Sequence, residues 1–183
     1  WRWWDDLEAL LARRPWLRDR ARRWSDRIAE LAAAPSLADL AALRHGFDTM
    51  RWIDDARTRP DEGELSALAV SRPGVLLTQL LAYREAWEDG LSRAVEAGSL
   101  VATTGHSGGV IAAAAVAAAP VGLDDDRVVD GYLELSVLLG HLAGTCTHAV
   151  PAAVLTDAMR GDVDAPAPMV AVAGVRLDRL AEV

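Results

Sequence analysis

The chain has 183 residues, 51% of them hydrophobic and 25% charged, which suffices for one ordinary domain with a real core and excludes a disordered or fibrous profile. All 19 basic residues are arginine, and a formal net charge of −8 argues against general nucleic-acid binding, which needs a basic surface to displace phosphate counterions. Cys146 is the single cysteine, so an internal disulfide is excluded, a thiolate zinc site is not expected, and a reducing cytoplasm fits.

The chain opens Trp1-Arg2-Trp3-Trp4-Asp5-Asp6 with no following apolar run, so no signal peptide is read there. Two stretches, Leu100 to Leu123 and Leu135 to Thr156, lack full charges, but glycine, proline, threonine and histidine interrupt both. Such groups are poorly tolerated in lipid, so both read as buried core elements and no membrane association is expected. Charge is uneven: residues 1–60 carry 12 Arg against 10 acids, and residues 61–183 carry 7 Arg against 17.

In chain order, Trp3, Trp4, Leu7, Leu10 and Leu11 predict a short first helix. Leu17, Ala21, Trp24, Ile28 and Leu31 recur at spacings of four and three, one apolar stripe on a second helix whose first turn holds Pro15. The seven tryptophans at such spacings read as core. Arg13, Arg14, Arg18, Arg20, Arg22, Arg23 and Arg27 form a basic cluster; with Asp19, Asp26 and Glu30 interleaved it reads as a solvated face, the alternative being a contact for an acidic partner or coenzyme A phosphates. Ser36 is a plausible N-cap after Pro35, and residues 57–63 form an exposed connection.

A strong helix is predicted over 73–89, with Leu76, Leu80, Tyr83 and Trp87 on one face and Gly90 near its end. Leu100 to Thr104 reads as a short buried strand leading into Gly105-His106-Ser107-Gly108-Gly109. An alanine-rich helix follows to Ala119, then a helix over 124–147, a strand over 169–173 and a last helix from Arg176. Strand, glycine-serine turn and helix imply an α/β layered fold with Ser107 at the carboxyl end of a strand.

Gly105 to Gly109 matches the G-x-S-x-G nucleophile elbow. The turn is tight enough to hold the serine in a strained backbone conformation, and glycines on either side remove Cβ atoms that would collide with neighbouring backbone. The following helix aims its first amides at a developing oxyanion, and Gly108 would supply one of them. The bland alternative is an unreactive Gly-Ser turn.

Gly-His-Ser-x-Gly before a helix of small residues resembles the acyltransferase (malonyl or acetyl transferase) family of fatty acid and polyketide synthases. The run from Pro73 to Tyr83, with Val101 to Gly109 after it, resembles the acetyltransferase domain of type I synthases of the fungal and actinobacterial kind. The tail from Ala167 to Leu180 resembles the start of that family's inserted ferredoxin-like subdomain. The resemblance implies an α/β-hydrolase-like acyltransferase core over 61–165, preceded by a helical part over 1–60 and followed by the start of the subdomain over 166–183. It also implies a ping-pong reaction. Ser107 takes an acyl group from acyl-CoA, and the phosphopantetheine thiol of an acyl carrier protein removes it, with no permanently bound cofactor or metal. A histidine serves as general base. His106 matches the motif and is given a positioning role. Other synthase domains are implied partners, in a cytosolic homo-oligomer.

Two parts of that family's machinery are not found in these residues: a Gly-Gln-Gly-type turn that completes the oxyanion hole, and the catalytic histidine beyond the subdomain. The 183 residues are therefore expected to be a fragment. His45, His141 and His148 are weak stand-ins for the base. Malonyl-selective members place an arginine on the helix after the elbow helix; here the apolar rhythm puts Leu139, beside Gly140, at that point. Between Arg127 and Arg160 the sequence has no basic residue except histidines, which favours a neutral acetyl starter. The alternatives are a malonyl or palmitoyl transferase, an α/β-hydrolase-type thioesterase and a non-catalytic scaffold segment. For the hydrolase, Asp157, Asp162 and Asp164 follow Ser107 but no histidine follows them.

Overall fold

The computed structural model describes residues 3–34, 46–99, 102–119 and 121–147. The chain divides into two units, residues 1–144 and 145–183; of the second only residues 145–147, the end of the last helix, are described. All regular elements among the described residues are helical.

Helix α1 (Trp3–Arg13) buries Trp3, Trp4, Leu7, Leu10 and Leu11, the apolar set that predicted it. A 3₁₀ turn at Pro15–Leu17 leads into α2 (Arg18–Ala32), where Ala21, Trp24 and Ile28 are buried and Leu31 is partly so. Proline suits this entry because its missing N–H falls where a helix has no acceptor for it. Short helices α3 (Thr49–Asp54) and α4 (Glu62–Ser66) each start on an aspartate cap, Asp48 accepting from the Arg51 N–H and Asp61 from the Glu64 N–H.

The central element is α5 (Leu68–Ala86), which packs against α1, α2, α4 and α7. It begins five residues before Pro73, so the proline lies inside the helix and not at its start as the sequence suggests. The cost of a proline there is the hydrogen bond to the carbonyl of residue 69. Leu76, Leu77, Leu80 and Leu81 are each buried, contributing about 2 kcal/mol apiece. The chain then bends through Trp87–Leu91, where Gly90 adopts φ 120°, into α6 (Ser92–Glu96). Helix α7 (Gly109–Ala118) follows the elbow, and α8 (Asp126–Thr147) the next loop.

The described part of the expected strand, residues 102–104, is not in strand conformation. Ala102, Thr103 and Thr104 lie exposed with no ladder, and Thr103 Oγ1 donates to the Ala113 carbonyl (2.9 Å). A strand needs a neighbour to satisfy its backbone groups, and no strand lies among the described residues. The α/β-hydrolase-like core is thus not formed among them, while the helical character of residues 3–34 and 46–60 is as read. Residues 100–101, the second strand at 169–173 and the proposed ferredoxin-like start at 166–183 lie outside the described residues.

The tryptophans are mostly core: Trp3, Trp4, Trp24 and Trp52 are buried, while Trp16 is 49% exposed. The arginine cluster is not simply a solvated face. Arg13 and Arg14 both grip Glu85 of α5, Arg18 pairs with Asp54, Arg20 with Asp124, and Arg23 and Arg27 approach Asp126 and Asp130 of α8. The acids interleaved in sequence are largely not the partners; acids distant in sequence are, so the cluster straps α1 and α2 to α3, α5 and α8.

Hydrogen bonding from Arg13, then from Arg14, lowers the Glu85 carboxyl from 4.5 to about 2 against the opposing effect of burial. The folded state therefore holds the charge more tightly than the unfolded chain does. The stabilisation is complete above about pH 4.5 and is lost as pH falls toward 2. With both arginines partly exposed, we expect a contribution on the order of 2 kcal/mol. Urea titrations at pH 6 and pH 3 should show Glu85→Gln losing that amount at pH 6 and much less at pH 3; equal losses at both would refute the pairing.

Candidate active site

Between α5, the elbow and α8 lies a cleft of about 440 Å³, lined by Ser107, His106, Gly108 and Gly109 on one side, the α5 face from Leu68 to Gln79 on another, and Ser136 of α8. A second groove of about 550 Å³ runs along the other side of Gln79, His106 and Gly109, toward Thr103 and Tyr83. The elbow segment thus forms a ridge open to both.

Ser107 has φ +52°, the left-handed region that a serine occupies only at a cost. It is exposed, and the turn around it is closed by i→i+3 bonds, the N–H of Gly109 donating to the His106 carbonyl (2.9 Å), that of Val110 to Ser107 (3.1 Å) and that of Ile111 to Gly108 (3.2 Å). These bonds consume the amides of residues 109–111. None of the hydrogen bonds among the described residues uses the Gly108 N–H, which stays available at the mouth of the cleft.

The two flanking glycines are not equivalent. A Cβ on Gly105 would lie 2.1 Å from the Gly109 carbonyl oxygen and 2.6 Å from the Val110 nitrogen, so only glycine fits. A Cβ on Gly109 would meet nothing nearer than Gln79 Nε2 at 3.6 Å, an ordinary contact. The steric demand expected on both sides of the serine exists on one.

The structure brings together three of the four residues singled out in sequence: Ser107, His106 and Gly108 share the cleft, whereas Leu139 is half-buried against the core and does not line it. Ser136, one turn earlier on α8, does. His141 is half-buried with an unpartnered Nδ1, outside the lining; His45 and His148 lie outside the described residues.

Sequence reading missed Arg72, Gln79 and Ser136. Each lines the cleft, and each holds a buried polar atom (Arg72 Nε, Gln79 Oε1, Ser136 Oγ) without a hydrogen-bond partner. Buried polar groups are rarely left so, and three of them belong to residues around this one cleft. A signal existed: Leu68, Arg72, Val75 and Gln79 follow helical spacing, so the two polar residues share one face of α5.

A family model described as "Starter unit:ACP transacylase in aflatoxin biosynthesis" matches residues 2–183. The chain belongs to the starter unit:ACP transacylase family. Among curated proteins, this transacylase-family chain is 32% identical over 153 residues to the fatty acid synthase beta subunit TOXC of Cochliobolus carbonum, covering 81% of the chain and 7% of that protein. It is 30% identical over 109 residues to fatty acid synthase 2 of Mycosarcoma maydis, covering 59% of the chain and 3% of that protein. The chain therefore spans a small part of the length of these relatives. The resemblance drawn from the elbow and the preceding helix holds at the level of the family: an acyltransferase domain of the kind found in fatty acid synthases. No helix among the described residues is long and apolar enough to cross a membrane.

Proposed function

We propose that the chain carries the acyl-serine half-reaction of a thioester-to-thiol acyl transfer, loading a starter acyl group onto a carrier protein of a synthase. The observation that supports this most is Ser107 at φ +52° on the open rim of a cleft. Glycine there would relieve about 1 kcal/mol of strain, so a serine held in that conformation is explained by its hydroxyl, not by the fold.

In this reading the Ser107 oxygen attacks the thioester carbonyl of an acyl-CoA. The oxygen–carbon bond forms, negative charge develops on the carbonyl oxygen, and the Gly108 N–H donates to it. The carbon–sulfur bond then breaks, and the serine's proton passes by way of a general base to the departing thiol. The pantetheine thiol of the carrier reverses the sequence and regenerates the serine. His106, beside the nucleophile, positions the turn and does not take the proton. For the acyl group, the absence of an arginine on α8 near Leu139 favours a neutral acetyl starter over a malonyl group.

Intact-protein mass spectrometry after brief exposure to an acyl-CoA tests the reading. We expect a one-acyl adduct on the full-length protein that vanishes in Ser107→Ala and moves to added pantetheine thiol faster than to water. Loss of the adduct to water alone would favour a thioesterase, and a folded protein with no adduct would make Ser107 a structural turn.

A further inference from the structure

The Ser107 cleft follows α5 from Gln79, which lies against Gly109 of the elbow, back to Leu68. Ser71 stands eight residues before Gln79, about 12 Å along a helix that rises 1.5 Å per residue. There the cleft meets a second cavity: Ser71 and Val75 also line a space of about 450 Å³ whose other walls include Trp3 and Trp4 of α1, Arg59 and Pro60. Arg59 and Pro60 in turn line a third cavity, of about 470 Å³, with Arg51 and Arg57. Three cavities thus adjoin in order, from the nucleophile to a group of arginines.

The character of the walls changes along the way. The middle cavity mixes apolar Trp3, Trp4 and Val75 with the hydroxyl-bearing Ser66 and Ser71, a lining that suits a slender arm of methylenes and amides. Its acids, Asp5 and Glu62, are both engaged. The far cavity sets Arg51, Arg57 and Arg59 beside Asp48, Asp61 and Glu64. Asp48 and Asp61 already accept from the N–H groups of Arg51 and Glu64 as helix caps. Asp55 takes Nε and Nη2 of Arg57, and with that side chain 90% exposed its remaining nitrogen is open to a ligand. Arg59 lies over the Trp4 ring at 5.2 Å and reaches Glu8 only at 3.5 Å, so the ring holds its guanidinium on the border of the two cavities.

A thioester at the nucleophile, an amide-bearing arm and then phosphates present their chemistry in the same order. Phosphates are met best by the planar, multi-donor guanidinium. Resting on the acyl-serine reading above, we infer that the donor's coenzyme A lies along these three cavities, its arm passing over Ser71 and Val75 and its phosphates meeting Arg59, Arg57 and Arg51. Arg59 is the central contact, because it borders both the arm's cavity and that of the phosphates. Arg13, Arg14, Arg18 and Arg20 grip Glu85, Asp54 and Asp124 instead, and none of them lines the three cavities.

The probes are acetyl-CoA and acetyl-pantetheine, which keeps the thioester and the arm but has no phosphate. Each is given to the full-length protein as wild type, Arg59→Ala, Arg57→Ala and Arg22→Ala, the last removing an arginine outside all three cavities. Ser107 adduct formation is read by mass spectrometry, and melting temperature checks folding. We expect wild type to favour acetyl-CoA. The acetyl-CoA to acetyl-pantetheine ratio of kcat/KM should fall roughly 10-fold in Arg59→Ala, the loss of one charged hydrogen bond, with the acetyl-pantetheine rate unchanged. Arg57→Ala should lower the same ratio by roughly 3-fold, its contact being more exposed, and it carries the test if Arg59→Ala does not fold. Arg22→Ala should leave the ratio at its wild-type value. A wild type without preference, a ratio that neither Arg59→Ala nor Arg57→Ala moves, or one that Arg22→Ala moves equally would overturn the phosphate site while leaving the acyl-serine intact. A folded wild type acylated by neither donor would overturn both.

Discussion

Replacing Gly105 by alanine is expected to cut the rate of Ser107 acylation by about 10²–10³ and to cost about 2–3 kcal/mol of stability. The added methyl would sit 2.1 Å from the carbonyl oxygen and 2.2 Å from the carbonyl carbon of Gly109, both backbone atoms with no rotamer to escape into. The turn must open, carrying Ser107 and the Gly108 N–H away from each other. Gly109→Ala is the internal control, because its methyl meets only the Gln79 side chain at 3.6 Å. It should keep its melting temperature. Adduct kinetics and urea midpoints for the two variants check this, and equal behaviour would mean that the elbow is not closed as described.

The second large effect concerns Gly74, in the interior of α5. On propensity alone, alanine in a helix should gain about 1 kcal/mol over glycine. Here the sign should reverse, to a loss of about 2–3 kcal/mol, because the new Cβ would lie 2.6 Å from the Trp3 ring. That ring cannot swing aside. It is 4% exposed, packs edge-on to Trp4 at 5.6 Å, and its Nε1 donates to the Leu65 carbonyl at 3.1 Å. Gly131 of α8, where an added Cβ meets nothing within 4 Å, supplies the comparison: Gly131→Ala should show the ordinary gain. Chemical denaturation of both variants decides it, and a stabilised Gly74→Ala would mean that α1 does not pack on α5 through Trp3.

Local signals carried well wherever one helix face had to be apolar. Leu17, Ala21, Trp24 and Ile28 marked α2, and Leu76 and Leu80 marked the buried side of α5, because burial of a 3.6-residue stripe is decided within the helix itself. Gly90 marked the end of that run for a similar local reason, its φ of 120° being one that few other residues adopt. The start of α5 was misplaced, since favourable packing of Ala69 and Val70 outweighs the missing proline N–H. The strand reading at 100–104 rests on Leu100, Val101 and Ala102 with the β-branched Thr103 and Thr104, all within one segment, and a strand is a property of two segments, not one.

Charge was the least legible from sequence order. Asp19 and Asp26, close to the arginine cluster, suggested local neutralisation, yet Glu85, Asp89, Asp54 and Asp124 neutralise it across the fold. The same limit hid Arg72, one arginine among 19 until the other chains of contact around it were in place.

The amino-acid sequence by itself determined the elbow: Gly105 to Gly109 specify a turn, a strained serine and a helix start within five consecutive residues, where covalent geometry leaves little choice. Only the tertiary structure decided what faces that serine. Arg72 and Ser136 lie far apart in the chain, and the close approach of α5 and α8 at Gly140 brings their walls to one cleft. Steric limits on a turn act between neighbours in sequence, whereas the electrostatic character of a cleft is the sum of side chains that packing alone assembles.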